Sequence, residues 1–221
     1  MSIQRAENPV YARLPLRTHL VTEREDLVET VARYTAGLLA PGDAVVLSES
    51  MVAIAQGRAV LSSSVRPGWL ARILCRLPQK HGSLATPQAM QLALEEVGPW
   101  RILLGVLAAG VGRLLGRRGW FYHVAGRELA LIDDIAGTLP PYDRHVVLGP
   151  KDPQRLTEKI KERIGAEVAI VDVNDLGCVD VMAATSGIRE EELRAALADN
   201  PAGNDDEQTP IVLLKRKKGR V

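Results

Sequence analysis

The fold of this chain is decided by the stretch Ala169-Ile170-Val171-Asp172-Val173-Asn174-Asp175-Leu176-Gly177. An apolar, β-branched run enters it and then gives way to Asp172, Asn174 and Asp175 before a glycine. A run of this kind bounded by turn residues is typical of a buried strand. Ligands of open sheets gather where such strands end. The stretch therefore predicts an interior strand that carries chemistry at its carboxyl end.

The composition is that of an ordinary globular protein with a sizeable core. The chain has 221 residues, of which 46% are hydrophobic and 25% are charged. Its formal net charge of +1 gives no global field toward nucleic acids or acidic membranes. Cys75 and Cys178 form no zinc motif, and the first residues show no basic-then-apolar signal segment. We expect a reduced, cytoplasmic protein with neither nucleic acid nor membrane as a partner.

The longest apolar stretch, residues 102–112, is too short for a membrane span. It ends at Arg101 and Arg113 and has about half of the ~20 residues that a span needs. The spacing of Gly112 and Gly116 matches a helix-pairing motif of membrane proteins. The short length favours a buried helix in which small residues make a close contact.

Further elements are predicted from apolar periodicity and turn residues. A capping box of Thr22 and Glu25 predicts a helix that begins at Thr22. A second helix is predicted at Pro153–Ile164 with Asp152 as its N-cap, and a third follows Ser186. Strands are predicted at residues 17–21, 44–48, 119–126, 129–132, 146–148, 180–184 and 211–214. Residues 62–118 are expected to form an α-rich, insertion-like part of a single region spanning residues 1–221, and residues 215–221 a basic tail.

Carboxylates follow two of the most apolar segments in the chain. Asp133 and Asp134 come after the segment 129–132, as Asp172 and Asp175 come after the opening run. Carboxylate and amide oxygens suit Mg²⁺ or Mn²⁺ better than zinc. Acidic residues at strand ends also cap turns or pair with arginine, and this structural explanation stays open.

The segment that follows the strand at residues 44–48 is a second candidate edge of a site. It places Glu49, Ser50, Gln56 and Arg58 directly behind a strand end. Its structural alternative is one helical turn and a glycine corner. The sequence shows no Ser-His-Asp order, activated cysteine or P-loop, so no catalytic residue is assigned.

Taken together, these segments resemble the GTP-dependent gamma-glutamyl ligases that act on the deazaflavin coenzyme F-420. The resemblance covers Leu20–Leu27, Gly42–Arg58, Ile132-Asp133, the helix after Asp152-Pro153, and Val168–Gly177. It implies an α+β fold with mixed or antiparallel sheets and packed helices, in an intertwined homodimer. It also implies GTP and a divalent metal as ligands, and the phosphorylation of a substrate carboxylate that the amino group of glutamate then attacks.

The resemblance also implies a metal site. Asp133 matches the metal-binding aspartate of the family's Gly-Ile-Asp element. The aspartate of a second family element corresponds to Asn174, so Asp172 or Asp175 would supply the charge there. The candidate metal ligands are therefore Asp133, Asp172, Asn174 and Asp175.

Ser50, Gln56 and Arg58 are the candidate nucleotide contacts. Ser50 and Ile54 stand where the family has lysines, and Ala136 replaces an asparagine. Lysines neutralise the charge that develops during phosphoryl transfer. These replacements favour an alternative, a non-catalytic domain that binds a metal or a phosphorylated or carboxylate ligand but no nucleotide. A structural dimer whose acidic residues only cap turns is a third hypothesis.

Overall fold

A computed structural model describes residues 8, 10–77, 84–117, 119–132, 140–173, 177–203 and 207–217 of the chain. The chain divides into two units. Unit 1 contains residues 1–57 and 150–221, and unit 2 contains residues 58–149.

Helices and strands are interspersed along the chain. They are β1 (Tyr11–Leu16), α1 (Leu27–Thr35), β2 (Ala44–Ser48), α2 (Glu49–Ala55), β3 (Ala59–Leu61), α3 (Trp69–Leu74), α4 (Pro87–Val97), α5 (Pro99–Leu114), α6 (Trp120–Ala125), β4 (His145–Val147), α7 (Pro153–Ile164), β5 (Glu167–Val173), β6 (Val179–Ala184), α8 (Glu190–Leu197) and β7 (Ile211–Arg216). Short 3-10 helices lie at Ser62–Ser64, Arg127–Leu131 and Tyr142–Arg144.

Unit 1 is built on a mixed sheet. In the described residues its strand order is β1-β7-β2-β5-β6, and β2 and β5 are the parallel pair. The central strands are buried on both faces, which explains why their sequences are continuous apolar runs. Val168 and Ile170 of β5 pack with α1, α2 and α7 on one face, and Ala169 and Val171 pack with α8 on the other. Strand β5, which contains the apolar part of the stretch quoted first, is therefore the middle of a layered core.

Unit 2 is mostly helical and has its own core. Ala71, Met90, Ile102, Leu129 and Val146 are among the buried residues that form this core. Helices α5 and α6 approach closely because two glycines of α5 lie in their contact. A Cβ added at Gly105 would come within 2.7 Å of Ala125, and one at Gly112 within 3.0 Å of Trp120.

Among the described residues, no single helix is long and apolar enough to cross a membrane. Helices α4 and α5 together would reach the required length and composition, but they are bent by 111° at the break between them.

The α+β class with a mixed sheet is confirmed, and so are several predicted elements. Helix α7 has the predicted bounds, and β2 is the predicted strand. Strands β4, β6 and β7 overlap their predictions. Residues 102–112 are helical, as the short apolar stretch predicted, and Gly112 makes the close contact. Much of this helix is nevertheless exposed, and Gly116 meets no neighbouring atom within 4 Å.

Other predictions of local structure are wrong. The aromatic segment 119–126 contains helix α6 instead of a strand, and residues 127–131 form a 3-10 helix instead of a strand. The first strand covers Tyr11–Leu16 rather than residues 17–21.

The predicted helix starts are displaced as well. Helix α1 begins at Leu27, because the Asp26 side chain accepts hydrogen bonds from the N–H groups of Val28 and Glu29. Asp152 precedes α7 in the left-handed region (φ 46°) and makes no side-chain cap hydrogen bond. Helix α8 follows Arg189 rather than Ser186.

Part of the predicted basic tail belongs to the sheet, because Lys215 and Arg216 lie in β7. Residues 218–221 lie outside the described residues.

Candidate functional site

The carboxyl ends of β2 and β5 lie side by side at one edge of the unit 1 sheet, which we call the β2/β5 edge. Ser48, the last residue of β2, pairs in parallel with Val171 of β5. Glu49 and Asp172 each follow this pair by one residue, so both emerge at the same edge. Glu49 is buried and Asp172 is exposed. The edge therefore combines carboxyl groups from two separate segments, in the position where open sheets bind ligands.

Asp172 faces a second carboxylate across the sheet. It is the cross-strand partner of Asp180 on β6, and such partners have Cβ atoms about 4.5–5.5 Å apart on one face. Although Asp172 is exposed, the surrounding chain removes part of its hydration. This desolvation, together with the negative charge of Asp180, raises the pKa of Asp172 above its usual value. Two like charges at this separation favour the binding of a proton or a cation between them.

A β-bulge brings the two carboxylates together. Ile170 pairs with Ala183 but Val171 pairs with Val181, so Met182 is the extra residue on β6. A regular continuation of the first register would place Asp172 opposite Val181. Bulges re-aim side chains and occur often beside active sites. The Asp172–Asp180 pair is therefore a product of an irregularity in the sheet.

The donor set at this edge suits a hard cation. Mg²⁺ and Mn²⁺ take carboxylate oxygens together with water or substrate phosphate oxygens. Within the part of the chain that the structure describes, no group of three or more His, Cys, Asp or Glu side chains could hold a metal ion. The two carboxylates would therefore share a cation with oxygens from water or substrate. Asn174 and Asp175 lie outside the described residues.

The predicted partner, Asp133, also lies outside the described residues. The described segment that leads to it is a 3-10 helix of unit 2, with Leu129 and Ile132 buried in the core of that unit. The premise that Asp133 follows a strand is wrong for this reason. Its assignment as a metal ligand stays a prediction.

The candidate nucleotide contacts have different surroundings. Both ends of the Gln56 amide bind the main chain of Lys151: Nε2 donates to the carbonyl oxygen at 2.9 Å, and Oε1 accepts from the N–H at 2.7 Å. The Arg58 guanidinium donates to the carbonyl oxygen of Gly149 and to the Glu96 carboxylate, which lies 2.9 Å away. Ser50 is half-buried on α2. Gln56 and Arg58 thus already serve local structure, and their nucleotide role stays a prediction.

The sequence placed Glu49 at a candidate edge of a site without assigning it a ligand role, and it did not point to Asp180. Glu49 directly follows the predicted strand at residues 44–48, which is why the sequence located it. Asp180 could not be located in this way, because its position opposite Asp172 depends on the bulge.

Comparison with models of known protein families identifies a match. The model of the F420-0:gamma-glutamyl ligase family matches residues 15–194. The chain belongs to this family. No curated protein matches it. The matched part of this ligase-family chain includes the β2/β5 edge, both carboxylates of the Asp172–Asp180 pair and all seven predicted site residues.

Proposed function

We propose that this protein joins the amino group of L-glutamate to a carboxylate of F420-0, with GTP as the phosphoryl donor and Mg²⁺ or Mn²⁺ as cofactor. The family match over residues 15–194 supports the ligase reaction. The observation that carries metal dependence is the pairing of Asp172 with Asp180 across the bulge, at the carboxyl end of a central strand.

The reaction implied by the resemblance has two displacements. A carboxylate oxygen of the substrate attacks the γ-phosphorus of GTP, and GDP leaves. The glutamate nitrogen then attacks the acyl carbon, inorganic phosphate leaves, and the nitrogen loses a proton. A divalent ion supplies charge neutralisation for the phosphate oxygens. Asp172 and Asp180 would hold that ion, and the hydrogen-bonded strands β5 and β6 would keep the two carboxylates in place.

Metal binding tests the site directly. We expect Asp172→Asn and Asp180→Asn each to weaken Mn²⁺ binding by at least about tenfold, because each removes one of two charged oxygen ligands. Calorimetric titration of the metal-free protein measures this affinity. Asp143→Asn is the matched control, since Asp143 is an exposed aspartate of unit 2 and should bind metal like the wild type. Equal affinities in all four proteins would show that the metal site is elsewhere.

Turnover tests the ligase reaction. We expect phosphate release from GTP only when L-glutamate, F420-0 and Mn²⁺ are all present, and a loss of this release in Asp172→Asn. Mass spectrometry would detect the glutamyl product. Metal binding without binding of either GTP or ATP would reject the ligase function.

A second candidate function is a domain that binds a metal and a carboxylate or phosphorylated ligand but no nucleotide. The engagement of Gln56 and Arg58 by the protein itself favours it, as does the absence of lysine at Ser50 and Ile54 of α2. A calorimetric titration with GTP and ATP separates it from the ligase, because this domain would bind neither nucleotide.

The homodimer implied by the resemblance belongs to this proposal. Light scattering coupled to size-exclusion chromatography would measure a mass twice that of the 24.0 kDa chain.

A further inference from the structure

One face of α5 is apolar and turned to solvent. Five apolar side chains follow one another along this helix at intervals of four, three, four and three residues. They are Trp100 (77% exposed), Leu104 (55%), Leu107 (67%), Val111 (49%) and Leu114 (89%). We call these five side chains the α5 face.

The opposite side of the helix is the one that packs in unit 2. Ile102, Gly105 and Gly112 are its buried residues, and both glycines contact α6 or the residues just before it. A small rotation of α5 about its axis would therefore not bury the α5 face. Continuous exposed apolar surfaces of more than a few hundred Å² mark protein or membrane interaction sites.

The charged residues of α5 itself are both positive. Helix α5 contains Arg101 and Arg113 and no acidic residue. At 3.6 residues per turn, Arg101 lies roughly 100° from the centre of the α5 face, at its margin, whereas Arg113 lies roughly 140° from it, close to the packed side. Both arginines are exposed, and Arg101 is 3.3 Å from Glu128. A long basic side chain at the margin, such as that of Arg101, reaches along an apolar surface to phosphate groups above it.

The two units also differ in formal charge, and unit 2, which contains α5, is the positive one. Residues 58–149 contain 11 Lys and Arg and 6 Asp and Glu, a formal charge of +5, whereas the remaining residues carry −4. The net charge of +1 conceals this division. A basic unit with an exposed apolar face is complementary to a surface that is both negative and apolar.

Tryptophan is concentrated in the same unit. Trp69, Trp100 and Trp120 are the three tryptophans of the chain, and Trp69 and Trp100 are 73% and 77% exposed. Tryptophan is enriched where proteins meet the headgroup region of membranes, because its ring is apolar and its N–H is polar.

A second copy of the chain would fit this face less well. Helices that pair through apolar residues spaced by three and four usually carry complementary charges at the flanking positions. On α5 the flanking positions hold Arg101, Leu103, Ala108 and Gly110, so a homodimeric pair would gain no ion pair. An anionic bilayer accepts both the apolar side chains and the positive charge of Arg101 and of unit 2.

We propose that α5 lies in the plane of an anionic membrane surface, with the α5 face inserted at the boundary of headgroups and acyl chains. Interfacial helices bind in this way, with Trp and Leu facing the lipid and Lys or Arg at the polar side. The inference is independent of the proposed ligase function. It departs from the expectation that membranes are no partner, which was based on the lack of a spanning segment and on the net charge.

Flotation with lipid vesicles tests the proposal on the full chain. We expect the wild type to float with vesicles of phosphatidylcholine and phosphatidylglycerol, and about tenfold less with phosphatidylcholine alone, because arginines near an anionic surface strengthen binding. High salt should reduce flotation. Tryptophan emission should shift to shorter wavelength on binding, since Trp100 leaves water.

Leu107→Glu is the decisive variant, because it places a negative charge at the centre of the α5 face without touching the core. We expect it to lose flotation with anionic vesicles. Leu38→Glu is the matched control, since Leu38 is a 41% exposed leucine of unit 1 and should keep flotation. Circular dichroism and thermal unfolding of both variants check that they fold.

Three outcomes would overturn the proposal. The first is no flotation of the folded wild type, and the second is equal flotation of wild type and Leu107→Glu. The third is a concentration-dependent dimer that Leu107→Glu dissociates while vesicles bind neither protein. That result would assign the α5 face to a second copy of the chain.

Discussion

Asp43 is a buried carboxylate that joins the start of β2 to the end of β7. It is 4% exposed and accepts hydrogen bonds from the N–H groups of Ala40 at 2.8 Å and Arg216 at 2.9 Å, and from the Lys215 ammonium group. Burial by itself raises the pKa of Asp43, but the hydrogen bonds from Lys215, Ala40 and Arg216 outweigh it and hold the pKa below its usual value.

Because the pKa of Asp43 is lower in the folded state, its contribution to stability is present above the aspartate pKa of the unfolded chain. The contribution is lost as pH falls through the folded-state value. We expect Asp43→Ala to lower the free energy of unfolding by about 3 kcal/mol at neutral pH, since it removes hydrogen bonds to a buried charge. The difference from wild type should shrink below about pH 4. Urea unfolding across this pH range measures it.

The control for this substitution is Asp143→Ala, which removes an exposed aspartate. It should change stability by no more than about 0.5 kcal/mol at any pH. A difference between Asp43→Ala and wild type that stays constant into the acid range would mean that ionisation of Asp43 is not what stabilises the fold.

At the level of single residues, sequence reasoning located Asp172 and missed its partner. Asp172 ends a continuous apolar run, and such a run is predictable because both faces of the strand are buried. The position of Asp180 opposite Asp172 depends on the extra residue Met182. No propensity marks where a bulge will fall in Val-Asp-Val-Met-Ala-Ala, since each register leaves apolar residues on both faces.

At the level of elements, the contact between α5 and α6 makes a sharp prediction about glycine. Alanine in a helix interior is more favourable than glycine by about 1 kcal/mol. At Gly105, however, the new Cβ would lie 2.7 Å from the Cβ of Ala125, and at Gly112 it would lie 2.9 Å from the carbonyl oxygen of Arg117. We expect Gly105→Ala and Gly112→Ala each to destabilise the protein by about 1–3 kcal/mol, because overpacking outweighs the helix propensity. Thermal and urea unfolding measure the effect.

Gly110→Ala is the matched control in the same helix. Its Cβ would meet no atom within 4 Å, so only the propensity term applies. It should stabilise the protein by about 0.5–1 kcal/mol. Stabilisation by all three substitutions would show that α6 does not pack against the glycine face of α5.

Elements with a regular apolar period and clear end signals were the predictable ones. Helix α7 begins at Pro153 after Asp152 and ends before Gly165, and its bounds were confirmed. A strand was predicted at residues 119–126 because aromatic residues favour strands. In the fold these residues include helix α6, from which Phe121 packs against the core of unit 2. Tertiary packing decides such short segments more than propensity does.

The start of α1 shows a similar limit. Thr22 and Glu25 do make the predicted contact, since the Glu25 carboxylate accepts from the Thr22 N–H at 3.0 Å. Asp26 nevertheless caps the helix four residues later. Two adjacent cap signals compete there, and the sequence pattern alone does not rank them.

At the level of the whole molecule, the two units have separate cores. The buried cluster of unit 2 contains only residues of 58–149, and the two clusters of unit 1 contain none of them. The points where the chain leaves and re-enters unit 1 are adjacent, because the Gln56 side chain binds both main-chain groups of Lys151. The ends of unit 2 are adjacent as well, since the Leu148 N–H donates to the Arg58 carbonyl oxygen at 3.0 Å. Inserted domains with adjacent termini are usually separable.

We therefore expect unit 1 to fold after residues 58–149 are excised and Gly57 is joined to Pro150 by a short glycine-serine linker. It should unfold cooperatively in urea, with an m value lower by roughly two fifths because less surface is exposed on unfolding. Excision of residues 62–118 alone is the control. It would leave Ala125, Leu129 and Ile132 without most of their core, and the product should aggregate. Non-cooperative unfolding or aggregation of the first product would mean that unit 1 depends on unit 2 for its stability.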